Sequence, residues 1–115
     1  MFSPTNIPAE IGSFQANAAN GSPGGANAGF DPQLSRFVNV WYKLAGGTSV
    51  TTRIWLYRDT IGWILYTDIP TTTMLTANGG GIIQVETRGA QRVYVELVTF
   101  VGPPTVTVFV DAVTY

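Results

Sequence analysis

Gln91-Arg92-Val93-Tyr94-Val95-Glu96-Leu97-Val98-Thr99-Phe100 decides the fold. Val93, Val95 and Leu97 fall on one side of an extended chain and Arg92, Tyr94 and Glu96 on the other, the period of two that marks a β-strand. Val101-Gly102-Pro103-Pro104 supplies turn residues, and the expectation is a hairpin into a last strand, Thr105 to Tyr115, with Val106, Val108 and Val110 on its inner face.

The same alternation runs upstream. Phe37 to Leu44 sets Val38, Val40 and Tyr42 against Asn39, Trp41 and Lys43, before a turn at Ala45-Gly46-Gly47-Thr48-Ser49. Val50 to Arg58 sets Thr52, Ile54 and Leu56 against Arg53, Trp55 and Tyr57. Arg58-Asp59-Thr60 reads as a tight turn into Ile61 to Asp68. After Pro70, Thr71 to Thr76 reads as a short edge strand, followed by a glycine loop at 77–81, a strand from Ile82 to Thr87 and a turn at Arg88-Gly89. No stretch carries helical periodicity. The expected class is all-β: an antiparallel β-sandwich or jelly roll of about six to eight strands, spanning residues 36–115.

Residues 1–35 differ. They hold Pro4, Pro8, Pro23 and Pro32, a run rich in Ala, Asn and Gly from Ala16 to Gly29, and isolated apolar residues at Phe2, Ile7, Ile11, Phe14 and Phe30. Such a segment buries too little apolar surface by itself to offset its ordering entropy. It reads as an extended N-terminal arm that orders against a neighbour, with those five side chains as anchors.

Composition narrows the role. The chain has 115 residues, no Cys and no His, which excludes disulfides and disfavours a transition-metal site. A sandwich of this size commonly needs a further source of stability, and oligomerisation is what remains. Six basic and seven acidic residues are interspersed, so no basic face exists for nucleic acid. Only 11% of residues are charged while 45% are apolar, so part of the apolar surface is expected to meet another chain. The longest apolar runs, as at Ile61 to Tyr66, fall far below the roughly 18 residues of a membrane span. Met1-Phe2-Ser3-Pro4 lacks the pattern of a signal peptide, which predicts synthesis in a cytoplasm.

Catalytic, cofactor and metal sites are not expected. Nucleophilic catalysis of the common kind needs a base beside Ser or Cys, and Lys43, the one lysine, reads as a solvated cation. Glu86 with Glu96, or Asp59 with Asp68, would form a hydrolytic pair only if their strands brought them face to face. Gly79-Gly80-Gly81 has neither the lysine nor the helix of a phosphate loop.

Trp41, Trp55, Tyr57, Tyr94 and Phe109 fall opposite the expected core, so several strands are apolar on both sides. One reading is a protein interface, where Trp and Tyr are enriched. A second is a carbohydrate platform, as in a carbohydrate-binding module or a host-surface adhesin. A third is a one-residue slip or bulge that exchanges the faces of one strand.

The arm before Arg36, with Gly89-Ala90-Gln91-Arg92-Val93-Tyr94-Val95-Glu96 and Thr105-Val106-Thr107-Val108-Phe109-Val110, resembles the small all-β decoration (cement) and head-appendage proteins of tailed-bacteriophage virions. The resemblance implies a homo-oligomer, a trimeric or other symmetric knob, seated on the major capsid protein or another virion protein at the capsid exterior. It implies that the arm ties neighbouring subunits together. It carries no catalytic or cofactor residue.

Overall fold

The alternating strands form two four-stranded antiparallel sheets that face each other across one core. The computed structural model describes residues 9–67, 72–73 and 79–113. Phe2, Ile7, Asp68, Pro70 and most of the expected 71–76 strand lie outside them. In chain order the strands are β1 Ala9–Ala16, β2 Phe37–Ala45, β3 Ser49–Arg58, β4 Gly62–Leu65, β5 Thr72–Thr73, β6 Gly80–Glu86, β7 Arg92–Val101 and β8 Thr105–Val113. No helix occurs among the described residues. The first sheet runs β1-β8-β2-β6. In the second, β7 pairs with β3 from Ser49 to Tyr57, so β4 and β5, which also pair with β3, share its other edge.

The inner faces are those the alternation gives. Val38, Val40 and Leu44 of β2, Val85 of β6, and Val106, Val108 and Val110 of β8 are fully buried. They meet Val50 and Ile54 of β3 and Val93, Val95 and Leu97 of β7. Burial of each of these side chains contributes about 1.5–3 kcal/mol against leaving it in water.

A bulge in β7 keeps this pattern going. Thr52 faces Leu97 but Thr51 faces Thr99, so Val98 is the extra residue. The insertion inverts the parity of the residues beyond it. Phe100 consequently turns inward opposite Val50, and Thr99 turns out to solvent.

Two expectations are corrected. Val101-Gly102-Pro103-Pro104 does not close a hairpin: β7 pairs with β3 while β8 pairs with β1 and β2, so the segment carries the chain from one sheet to the other. Two prolines without N–H groups suit such an arch as well as a hairpin, which is why the sequence does not separate them.

The arm is the second correction. Ala9–Ala16 is the edge strand β1, laid antiparallel on β8 from Ala9↔Ala112 to Ala16↔Val106. Ile11, Phe14 and Phe30 pack against the core of the sandwich within the single chain. Phe14 and Phe30 stack with ring centroids 6.3 Å apart, closing the gap between the β1 edge of one sheet and the β7 edge of the other. Gly12 makes that closure possible, since a Cβ there would overlap the Phe30 ring.

Candidate interaction surface

The outer face of each sheet carries aromatic residues, and the two faces differ in what covers them. On the first sheet, register places Ser13, Phe109, Trp41 and Ile82 in one row across β1, β8, β2 and β6. Trp41 is 44% exposed, Phe109 39% and Ile82 53%. With Lys43, Gly80 and Thr107 they line a shallow open groove of about 470 Å³.

Trp41 is held in place. Its indole N–H donates to Asp111 Oδ2 at 2.9 Å, and the Asn39 amide donates to Asp111 Oδ1 at 3.0 Å. Gln84 Nε2 in turn donates to Asn39 Oδ1 at 3.2 Å. A buried carboxylate is tolerated because both of its oxygens accept hydrogen bonds. The result is a fixed, flat aromatic surface beside a polar row.

The second sheet repeats the device. Trp55 Nε1 donates to Oε1 of the buried Glu96 at 2.8 Å. In both sheets the acid lies opposite the residue two positions before the tryptophan, Asn39 for Asp111 and Arg53 for Glu96. Nearby, Trp63 packs against Tyr57 and Tyr94, with ring centroids 5.2 and 6.0 Å away.

This second face is covered by the chain itself. Residues 20–30 run along β7 and over its outer side as a strap held by carbonyl oxygens. Trp63 Nε1 donates to Gly25 O at 3.0 Å, and the Tyr94 hydroxyl to Gly21 O at 2.8 Å. The Arg92 guanidinium donates to Asn27 O and Gly29 O, each at 2.8 Å. Phe30 and Val93 exchange two main-chain bonds of 2.7 and 2.8 Å. Asn20 completes the edge: its amide donates to Val95 O at 3.0 Å, and its Oδ1 accepts from Leu97 N at 2.8 Å, as a paired strand residue would. Burial, reinforced by the Glu96 charge, raises the Tyr94 phenol above its ordinary value, and burial does the same for Tyr42.

The five aromatic residues singled out in the sequence thus divide. Trp41 and Phe109 stand together on the first sheet, and Trp55, Tyr57 and Tyr94 on the second. All five lie on outer faces, so the alternative of a slipped strand does not apply to them. Sequence reasoning missed Ile82, which completes the row on the first sheet, and Asn20. The Ile82 signal was present in the alternation of β6, but only the β2–β6 register puts it beside Trp41.

No hydrolytic pair is assembled from Glu86 and Glu96. They lie on strands of different sheets, and Glu96 is engaged by Trp55. Lys43 is exposed beside the Trp41 row. No group of three or more acidic, His or Cys side chains is arranged to hold a metal ion among the described residues. No family model matches the chain, and neither a curated protein nor a solved structure is significantly similar to it.

Proposed function

We propose that the chain is a non-enzymatic structural virion protein, a homo-oligomeric and by preference trimeric decoration or cement subunit that stabilises a tailed-phage capsid. The observation that carries the reading is the row Phe109, Trp41 and Ile82: a preorganised apolar strip on the outer face that the described residues leave uncovered. Apolar area of this kind, flanked by Asn39, Gln84 and Lys43 and nearly free of charge, suits the core of a protein interface with a polar rim.

Strand order supports a jelly roll as the architecture. The pairings are nested: β1 with β8, the 20–30 strap with β7, β2 with β6, and β3 with β4. Nested antiparallel pairs folded into two layers are what two interleaved Greek keys produce, and capsid and lectin domains use this arrangement. The strap takes the place of the second strand.

The test is sedimentation of the purified chain with capsids assembled from the major capsid protein encoded in the same genome. Co-sedimentation that saturates, and is lost in Phe109→Ser/Ile82→Ser while the fold is retained, is the expected result. A chain that stays in the supernatant at every ratio sinks the reading. Light scattering at three times the 12.3 kDa chain mass is expected of the free protein.

A second reading, a carbohydrate-binding module or host-surface adhesin, is favoured by the fixed Trp41 ring with Asn39 and Gln84 beside it. It requires a saturable hit on a glycan array that Trp41→Ala abolishes and Trp55→Ala does not, since Trp55 lies on the strapped sheet.

A further inference from the structure

Residues 9–30 complete the sandwich by docking on surfaces that belong to the rest of the chain. β1 lies along β8, and the strap lies along β7 under the Trp63, Tyr94 and Arg92 side chains. A second copy presents the same β8 edge, the same β7 edge and the same three donors.

The link between this segment and the body is short. Phe30 is the last residue paired with β7. On the far side the chain is fixed again, because Thr87 Oγ1 donates to Ser35 O at 2.5 Å and Thr87 N donates to Arg36 O at 2.9 Å. Between these points residues 31–34 turn the chain. Gln33 and Leu34, neither a glycine, stand at φ of 56° and 61°, and the Leu34 side chain is 98% exposed. Left-handed backbone is disfavoured for both residues, which are the central pair of a tight turn that Ser35 N closes on Pro32 O at 3.0 Å. A connection that straightens toward a neighbour relieves both positions at once and gives up the local bonds of the turn, Ser35 to Pro32 O and Gln33 N to Asp31 Oδ1, to water.

We propose that residues 9–30 exchange between copies of this chain, β1 and the strap of one copy docking on β8 and β7 of another, with residues 31–34 as the hinge. A short hinge under strain, joining a docked segment to its body, is the arrangement that favours exchange. Charge does not oppose it: Glu10 and Asp31 are the charged residues of the whole 9–35 segment. The exchange deepens the homo-oligomer reading above and rests on it, since it names the contact that joins the copies.

The chain has no cysteine, so introduced thiols report the exchange without interference. Gln15 and Thr107 are directly opposed on β1 and β8, and Gln15 Nε2 donates to Thr107 Oγ1 at 3.1 Å. In Gln15→Cys/Thr107→Cys an unexchanged chain closes a disulfide on itself and runs as a monomer on a non-reducing gel. An exchanged chain gives covalent oligomers. Lys43→Cys/Thr107→Cys, a pair within the body, is the control that stays monomeric in either case.

The expected result is covalent oligomers from the first pair, in a fraction that grows with protein concentration during refolding. Deleting Gln33 and Leu34 is expected to drive the population fully to oligomer. Gln33→Gly/Leu34→Gly is expected to lower the exchanged fraction about tenfold by making the tight return permissible. Monomeric bridging at all concentrations in the unshortened chain overturns the exchange. If light scattering still finds an oligomer in that case, the homo-oligomer reading stands and only the exchange falls; a monomer by light scattering removes both.

Discussion

Asp111 accepts the indole N–H of Trp41 at 2.9 Å across the β8–β2 pair, from a site only 5% exposed. The carboxylate thereby fixes the ring that heads the open face, so one residue serves both stability and surface shape. Asp111→Ala leaves the Trp41 N–H and the Asn39 amide without their acceptor. The expected loss is about 1–2 kcal/mol, with greater mobility of Trp41 by fluorescence anisotropy. An unchanged denaturation midpoint would show that these bonds contribute nothing.

Thr52 is the opposite case. Its hydroxyl is buried and has no hydrogen-bond partner among the described residues, so folding desolvates it without return. Thr52→Val keeps the shape and removes the polar atom. Stability is expected to rise by about 1 kcal/mol in urea denaturation, with an unaltered m-value.

Asn20 stands in for a strand residue along β7. Asn20→Ala is expected to cost about 1–2 kcal/mol and to speed exchange of the Leu97 amide hydrogen in particular. Asn20→Asp is the sharper variant, because a carboxylate still accepts from Leu97 N but has no proton for Val95 O. Equal protection of the Leu97 amide in all three chains would contradict the bridge.

Gly12 lies under the Phe30 ring. Gly12→Val is expected to push that ring out of the β1–β7 gap and to cost about 1–3 kcal/mol, as overpacking does. Phe30→Ala in the same background is expected to recover part of the loss, which a double-mutant cycle would read as coupling between the two positions.

Tyr94 gives the chain an alkaline limit. Its phenol is raised above the ordinary 10.0 by burial and by Glu96, so the unfolded chain releases this proton first as the pH climbs. The unfolded state then binds fewer protons than the folded one, and stability falls from about pH 10 upward through the folded value. Below that range the contribution is fully present. Urea denaturation between about pH 9 and 11 is expected to show the decline, and Tyr94→Phe to lessen it, leaving the shares that Tyr42 and Tyr57 add, since burial, and at Tyr57 Asp59 as well, raises their phenols too.

The faces were legible and the edges were not. Val38, Val93 and Val106 announce their side because a strand exposes alternate residues to opposite environments, and a slip would move all of them together. Nothing in that pattern says which strand lies beside which. The chain passes from β7 to β8 through residues that suit a hairpin equally well, and Glu86 looks like a neighbour of Glu96 until the sheets separate them. Trp41 and Phe109 were recognisable as outward, but their meeting with Ile82 depends on register. The N-terminal third was least legible, because Gly, Ala and Asn carry no period and the strap is held through its own main-chain carbonyls, which every residue possesses.

That last property sets how the strap can diverge. Trp63, Tyr94 and Arg92 grip oxygen atoms of the peptide groups at 21, 25, 27, 28 and 29, and not the side chains attached to them. Substitutions at Ser22, Ala26 or Asn27 therefore leave the grip unaltered, whereas one residue added or removed would shift every carbonyl out of phase with its donor. Related chains are expected to vary freely in the wording of this stretch and to keep its length.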